Sequence, residues 1–324
     1  MKLKKTIVIF ILVFFLIVLV STGLIAVYFL LSGYILNYGS FGNNYETLEF
    51  NANSSFKILH LCDLHYHDSK RRNSELTIEF IKSVIEIENP DLLVFGGDTI
   101  DYNCEDAKEC LGELIQFNIP YTFVLGNHDQ ESNLYRGELA EYLSTLPNSL
   151  FKVGDGHVYG FGNNKISISD KFDLFFFDSG DYALNGVYDY IRPSQEEWYK
   201  VMSKKLPEIT FFHIPLKEVN NLVEIFGEKN EGVYSSIIGS GIFETFVDNG
   251  SMKGVFFGHD HINDFCGKMK EITFCYGGSP TYQSYNLDER RIRVIEISNF
   301  GEKLDTWLRL DNHNLEKINT LNIL

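Results

Sequence analysis

Basic residues are scarce in this sequence of 324 residues: 28 Lys and Arg stand against 44 Asp and Glu, and the formal net charge is −16. Nucleic acids and anionic lipids are bound by basic surfaces, so this charge argues against a binding surface for either.

Cysteine is scarce too. The chain has five cysteines, an odd number, and they do not make a disulfide scaffold. In an oxidising lumen Cys104 could pair locally with Cys110 and Cys266 with Cys275, leaving Cys62 unpaired. In a reducing compartment all five would remain thiols.

Charge is absent from residues 6–45, and residues 6–31 are almost wholly apolar. At about 1.5 Å per residue this run exceeds the roughly 30 Å hydrocarbon core of a bilayer, which predicts a transmembrane signal-anchor over 6–31. A cleaved signal peptide has an apolar core of only about 7–15 residues. Cleavage near Gly23, which would release a secreted protein, and a buried core helix are the alternatives. Lysines at 2, 4 and 5 precede the span, so the positive-inside rule predicts a cytosolic tip at 1–5 and an extracytoplasmic or lumenal remainder.

The rest of the chain predicts a linker over 32–55, rich in Gly, Asn, Ser and Tyr, and one α/β domain over 56–324. Apolar periodicity in this domain favours alternating strands and helices, with more antiparallel character in the second half. The predicted strands are 56–62, 91–96, 121–125, 150–160, 165–169, 173–178, 208–212, 254–257, 271–275 and 291–297. The predicted helices are 74–88, 105–117, 133–144, 194–204, 217–226 and 239–249.

Five short polar motifs punctuate the domain, most of them directly after apolar runs. They are Asp63-Leu64-His65, Gly97-Asp98, Gly126-Asn127-His128-Asp129, His213 and Gly258-His259-Asp260-His261. Loops at strand ends carry the chemistry of α/β enzymes. Singly, each motif could be a polar turn. As a set they supply seven oxygen and imidazole ligands, enough for two metal ions.

The remaining histidines have simpler interpretations. His60 lies inside the apolar run 56–62 and is expected in the core, whereas His157 and His313 lie in polar surroundings and are expected to be solvated. His67, two residues after His65, could reach the site.

The ordered pattern D-x-H, G-D, G-N-H-[DE], H, G-H-x-H resembles the signature of the calcineurin-like metallophosphoesterases over about residues 56–300. The runs His213-Ile214-Pro215-Leu216, 259–266 and 275–277 further resemble a purple-acid-phosphatase-like branch. True purple acid phosphatases carry a tyrosine ligand three residues after the G-D aspartate, where this chain has Asp101. The resemblance therefore implies a colourless di-metal centre, held in a sandwich of two mixed β-sheets flanked by helices.

The resemblance also implies a role for each motif residue. The first metal would be held by Asp63, His65 and His261, the second by Asn127, His213 and His259, with Asp98 bridging them. Such oxygen and nitrogen ligation suits Mn²⁺, Fe²⁺, Zn²⁺ or Mg²⁺ without choosing among them. A metal-bridging hydroxide would attack a phosphomonoester, His128 would protonate the leaving oxygen, and Asp129 would fix the tautomer of His128.

Few residues in the sequence point to substrate contacts. Arg71 and Arg72 follow the first motif and could meet substrate phosphate, although a solvated basic loop explains them as well. Tyr182 could line the cleft. The leading prediction is a membrane-anchored phosphomonoesterase. A phosphodiesterase acting on nucleotides or phospholipids and a non-catalytic membrane-tethered binding protein are the alternatives, and no oligomeric state is implied.

Overall fold

From residue 45 onward the protein, in a computed structural model, forms two mixed β-sheets with helices on their outer faces. The structure describes Val18 and residues 45–183, 187–283 and 289–324. The predicted cytosolic tip and, apart from Val18, the predicted membrane span lie outside these residues. Within the described ranges, no helix has both the length and the apolarity to cross a membrane.

The described elements follow the predicted alternation at first. The strands are β1 (Glu46–Leu48), β2 (Phe56–Leu61), β3 (Leu92–Phe95), β4 (Tyr121–Phe123), β5 (Asn164–Ile168), β6 (Phe172–Phe176), β7 (Glu208–Phe211), β8 (Val223–Phe226), β9 (Met252–Phe257), β10 (Cys266–Met269), β11 (Ile272–Tyr276), β12 (Arg291–Ser298), β13 (Lys303–Leu310) and β14 (Lys317–Asn322). The α-helices are α1 (Arg71–Glu88), α2 (Ala107–Leu114), α3 (Arg136–Thr145), α4 (Pro193–Met202) and α5 (Ile242–Asn249).

The six-stranded sheet has the order β14-β13-β12-β2-β3-β4, in which β2, β3 and β4 are parallel neighbours. The strands β2, β3 and β4 are apolar at most positions because both of their faces are buried. Leu59 and Leu61 belong to the core shared with α1, α2 and α3. Between them His60 faces the other sheet, with ring centroids 5.2 Å from Phe211 and 6.3 Å from Phe256. His60 is therefore the core residue that the sequence predicts.

The eight-stranded sheet has the order β1-β5-β6-β7-β9-β11-β10-β8. Its outer face is covered by α4 and α5 through aromatic contacts: Trp198 and Tyr199 lie edge-on to Phe175 at 5.7 and 5.0 Å. Phe246 of α5 lies 4.9 Å from Tyr199. The core thus lies in three layers: one between the sheets and one between each sheet and its helices.

The topology brings the carboxyl ends of five strands to one edge. β2, β3 and β4 run parallel in one sheet, and β7 and β9 run parallel in the other. The two edges meet where His213, after β7, has its Nδ1 atom 3.0 Å from the carbonyl oxygen of Gly96, after β3. All five motifs follow these strands, so the fold gathers them in one place.

Two predicted elements are wrong. Residues 150–160 form no strand, because Gly154 and Gly160 adopt positive φ (101° and 83°), which breaks an extended chain. Residues 217–226 are not a helix: a 3₁₀ turn at Lys217–Asn221 precedes β8, whose Val223 and Phe226 pair with β10. Such β-branched and aromatic residues fit a pleated edge better than a helix.

The predicted antiparallel character of the second half is wrong across β6, β7, β9 and β11, which pair in parallel. Residues 46–48, expected within the linker over 32–55, form β1 and pair with β5. The apolar pattern did not predict the strands β1, β8, β10, β13 and β14.

Both expected disulfides are present. Cys104 is bonded to Cys110, and Cys266 of β10 is bonded to Cys275 of β11. Cys62 is a free, buried thiol. The pairing predicted for an oxidising compartment is the one that the fold brings together.

A buried polar cluster lies at the amino end of β7, away from the motif loops. Glu208 and Asp173 are register partners on β7 and β6, and both are fully buried. Lys165 contacts Asp173 at 2.7 Å, while Tyr199 and Ser203 donate to Glu208 at 2.9 Å each. Two carboxyl groups therefore share one ammonium group, and burial raises the pKa of Glu208 to about 7.

Glu208 should make the stability of the fold depend on pH. The folded chain keeps the proton up to a pH near 7, whereas an unfolded chain releases it near 4.5. The contribution of Glu208 to stability should thus be fully present below pH 4.5 and be lost as the pH rises from 4.5 through 7, by on the order of 3 kcal/mol. Urea denaturation of the wild type and of Glu208→Gln, with disulfides intact, measures this difference at pH 5 and pH 8. The same pH dependence in both proteins would exclude Glu208 as its source.

Candidate functional site

Six of the seven predicted ligands supply donor atoms that fall into two overlapping groups. One atom each from Asp63, His65, Asp98 and His261 lie within 4.8 Å of one another, and so do atoms of Asp98, His213 and His259. Each group could hold a metal ion, and Asp98 belongs to both.

Within these groups, histidine nitrogens lie in direct contact with carboxylate oxygens or with each other. His213 Nε2 lies 3.0 Å from Asp98 Oδ2, and His65 Nε2 lies 3.2 Å from His261 Nε2. His261 Nε2 is also 3.5 Å from Asp63 Oδ1. All five side chains are buried, which leaves little water to satisfy them.

Two buried donor atoms at the centre, Asn127 Oδ1 and His259 Nε2, lack a hydrogen-bond partner among the described residues, whereas His213 Nε2 is paired with Asp98 Oδ2 at 3.0 Å. A buried polar atom without a partner costs free energy, on the order of 1–3 kcal/mol each. Lone pairs of an amide oxygen and of imidazole nitrogens are suitable metal ligands. The side chains present therefore fit a divalent cation beside Asp98.

The backbone at the site is held in an unfavourable conformation. Asp63, His65, Asp98 and His259 have φ values of 55°, 45°, 49° and 77°, the left-handed region that residues with a Cβ rarely adopt. Such conformations cluster at functional sites, where the surrounding structure enforces them. Here they turn donor side chains from separate loops toward one centre.

Glycines are required at two positions of the motifs. A Cβ atom on Gly126 would lie 2.1 Å from Asp98 Oδ1, and one on Gly97 would lie 2.3 Å from His213 Nδ1. Gly97 also has a φ of 96°. The G-N-H and G-D motifs need glycine because a donor side chain packs directly on that backbone.

The donor groups strongly perturb one another. Burial opposes ionisation of Asp98, but the neighbouring His213 outweighs it and holds the pKa of Asp98 well below its usual range. Burial, together with the charge of Asp98, raises the pKa of Asp63 to about 7. Burial also opposes the charge on His213, yet Asp98 and Asp63 raise its pKa to about 9. One imidazolium thus balances buried carboxylates, a charge that a metal cation would supply instead.

Asp129 does not fix the tautomer of His128, so its predicted catalytic role is wrong. Its carboxylate accepts four backbone N–H groups, from Asp98 (3.0 Å), Thr99 (2.8 Å), Ile100 (3.1 Å) and Gly126 (2.7 Å). This fully buried side chain fastens the G-D loop to the G-N-H loop.

His128 is oriented by a different carboxylate, Glu131, whose Oε2 atom lies 2.7 Å from His128 Nδ1. The backbone N–H of His128 donates to Asp98 Oδ1 at 2.8 Å, and its ring centroid is 5.4 Å from that of His65. About a third of the His128 side chain is exposed, more than any buried donor. His128 therefore lies at the mouth of the site.

Tyr182 lies beside Asn127, one of the predicted ligands. Its hydroxyl accepts a hydrogen bond from Asn127 Nδ2 at 3.1 Å, which directs Asn127 Oδ1 away from it. Its ring stacks on Tyr188, whose ring in turn lies edge-on to His259 at 4.3 Å. Tyr188 could not be predicted from the sequence, because only the antiparallel bridge between Tyr182 and Tyr188 brings it to the site.

Among the described residues, Arg71 and Arg72 make no contact with the donor groups. Both are exposed at the start of α1 and pair with glutamates: Arg71 with Glu113 at 2.7 Å and Arg72 with Glu75 at 3.5 Å. The structure therefore favours the interpretation of Arg71 and Arg72 as solvated basic residues.

Arg136, which was not predicted from the sequence, holds the backbone of the G-N-H loop. Its guanidinium donates to the carbonyl oxygens of Gly126 (2.6 Å) and Leu125 (3.1 Å) and pairs with buried Asp178. The only sequence signal would have been an arginine in a predicted helix directly after the G-N-H motif. His67 does not join the donor groups, since its Nε2 atom contacts Asp101.

Comparison with known proteins bears on the same residues. A model of the family described as calcineurin-like phosphoesterase matches residues 56–263. The chain is 37% identical over 335 residues to "Probable inactive purple acid phosphatase 28" of Arabidopsis thaliana, covering 84% of each. It is 34% identical over 321 residues to "Phosphatase DCR2" of Saccharomyces cerevisiae, covering 82% of this chain and 55% of that protein. A dimetal phosphatase structure from Danio rerio aligns with a TM-score of 0.58 and 13% identity, over 83% of this chain and 98% of that one, and supports the fold alone.

The roles of Asp129 and Glu131 can be separated by stability. Asp129→Asn should lower the free energy of unfolding by roughly 2–5 kcal/mol, because it breaks buried bonds from backbone N–H groups to a carboxylate. Glu131→Gln, at a partly exposed position, should change it by less than about 0.5 kcal/mol. Chemical denaturation of both variants in chelator measures the difference. Equal stability of the two variants would contradict the fastening role of Asp129.

Proposed function

The chain belongs to the calcineurin-like phosphoesterase family, and from that premise we propose that it is a membrane-anchored phosphatase that cleaves phosphomonoesters with two divalent metal ions. The observation that carries the proposal is the overlap of the two donor groups at Asp98, together with the unpartnered buried atoms Asn127 Oδ1 and His259 Nε2. The family fold implies a divalent metal centre, and these atoms fit one.

We assign the ligands by the two overlapping groups. The first ion would be held by Asp63, His65 and His261, the second by Asn127, His213 and His259, and Asp98 would bridge both. The shared membership of Asp98 in both groups supports this division. Mn²⁺, Fe²⁺, Zn²⁺ and Mg²⁺ all suit these oxygen and nitrogen donors.

When bound, such ions polarise the phosphoryl group and acidify water for direct attack. The rest of the chemistry falls to the chain. Glu131 holds Nδ1 of His128, which leaves Nε2 to pass a proton to the leaving oxygen at the mouth of the site. Tyr182 binds the amide nitrogen of Asn127 and so fixes the direction of its Oδ1 atom, and Asp129 fastens the G-D loop to the G-N-H loop.

The names of the relatives point in different directions, since the plant protein is named as probably inactive and the yeast protein as a phosphatase. Loss of activity in this fold is expected when donors are replaced by side chains that cannot bind metal. Here every donor position holds a residue that can bind metal, and six of the seven lie in the two overlapping groups, which favours activity over a non-catalytic binding protein.

The first test measures activity and metal together. The full chain, purified in detergent, should hydrolyse p-nitrophenyl phosphate with added Mn²⁺ and stop when chelator is present. Hydrolysis of bis-p-nitrophenyl phosphate in preference to the monoester would favour the diesterase alternative. Near-zero bound metal after loading with Mn²⁺ or Zn²⁺ would favour the binding protein.

The second test separates proton transfer from metal binding. His128→Ala should keep both metals and lose roughly 10²–10⁴-fold in rate, the usual contribution of one proton-transferring group. The loss should be smaller for p-nitrophenyl phosphate than for an alkyl phosphate, because nitrophenolate needs no proton to leave. Asp98→Asn is the comparison and should weaken both metals. Metal loss in His128→Ala, or equal losses for both esters, would exclude His128 as the acid.

The proposed anchor rests on the uncharged run at 6–45 and the lysines before it. The full chain should remain with membranes after alkaline carbonate washing, and residues 56–324 should be protected from protease added on the cytosolic side. A variant lacking residues 1–31 is the control and should leave the membrane fraction. Release of the full chain by carbonate would contradict the anchor, and an N-terminus mapped near residue 23 would show cleavage and secretion.

A further inference from the structure

Asp101 is a buried carboxylate at the edge of the site, and it contacts one of the predicted metal ligands. Its Oδ2 atom lies 3.0 Å from His65 Nδ1 and 2.9 Å from His67 Nε2. Its Oδ1 atom accepts from the backbone and the side-chain amide of Asn103, at 2.7 and 3.0 Å. The two oxygens thus have four donors between them, and neither belongs to the groups that could hold a metal.

We propose that Asp101 is a positioning residue for metal binding: it holds His65 in the tautomer and orientation that present Nε2 to the first ion. The proposal rests on the proposed metal-binding function. An imidazole whose Nδ1–H is bound by a carboxylate keeps its Nε2 lone pair free and becomes a stronger ligand. His65 Nε2 faces His261 Nε2 at 3.2 Å, the side on which the first ion would lie.

The sequence explains why this chain needs such a residue. Asp101 occupies the position where the resemblance places a tyrosine ligand in true purple acid phosphatases, and His65 is the additional donor of the first motif. A carboxylate with four donors is already satisfied and has little capacity left for a metal. The pair His65–Asp101 therefore replaces one direct ligand by a histidine ligand and its supporting acceptor.

The loop that carries Asp101 is fastened at several points. The backbone N–H of Cys104 donates to the Asp101 carbonyl oxygen at 3.0 Å, and Cys104 is bonded to Cys110 of α2. Ser132, in the loop before α3, donates to the Cys104 carbonyl oxygen at 2.6 Å. The acceptor for His65 is thus anchored to a helix and to a neighbouring loop, which limits its movement.

The experiment measures metal affinity directly, by titrating chelator-treated full chain in detergent with Mn²⁺ in a calorimeter. Asp101→Ala should weaken one of the two ions by roughly 10–100-fold, the usual effect of removing a residue that orients a metal ligand. The other ion should change by less than about threefold. Asp101→Asn, which keeps an oxygen acceptor and nearly the same shape, should show a smaller loss and guards against misfolding of the alanine variant.

The matched control is Asp106→Ala, in the same loop, whose side chain caps α2 through the N–H groups of Lys108 and Glu109. It should lower the stability of the fold slightly, through loss of the helix cap, and leave both metal affinities unchanged. Saturating Mn²⁺ should also restore most of the phosphatase rate of Asp101→Ala, because the variant lacks affinity and keeps every reacting group.

Three results would overturn the proposal: unchanged affinity in Asp101→Ala, equal weakening of both ions, or a rate that saturating Mn²⁺ does not restore. Failure of the proposed function would look different. The wild-type chain would then bind fewer than two ions, and both proposals would fall.

Discussion

Two aspartates, Asp63 and Asp98, are buried where the edges of the two sheets meet, and the surrounding structure is organised around their charge. Burial of one carboxylate near another is costly unless cations or N–H donors lie close by. Asp98 has the ring of His213 at 3.0 Å and the N–H of His128 at 2.8 Å. Asp63 accepts the N–H of His259 on both oxygens. A third buried carboxylate, Asp129, is satisfied by backbone N–H groups, so it adds no demand for positive charge at the centre.

This constraint explains how the scaffold is built. Asp63, Asp98 and Asn127 follow strands of the six-stranded sheet, whereas His213, His259 and His261 follow strands of the eight-stranded sheet. Neither sheet alone supplies a complete set of donors. Two contacts hold the two sheets together beside the site. His60 packs against Phe211 and Phe256, and His213 contacts the Gly96 carbonyl oxygen.

Much of the donor set could be predicted from sequence, because buried parallel strands are continuous apolar runs and the chemistry follows their ends. Asp63, Asp98, Asn127 and His213 all obey that rule. The partners of each donor could not be predicted. Asp129 is adjacent to His128 in sequence, yet on a tight turn the two side chains diverge, and Glu131 takes the contact. Likewise β8 looks helical by apolar spacing, and only its pairing with β10 makes it a strand.

A site assembled from both sheets has a consequence for how long the protein persists in a cell. A cation held by donors from residues 63–127 and from residues 213–261 can bind only after both halves have folded against each other. Ligands that bind the folded state alone stabilise it in proportion to the logarithm of their concentration. Supply of the ion would then set the lifetime of the chain as well as its activity, and molecules made during metal starvation would be the first that proteases remove.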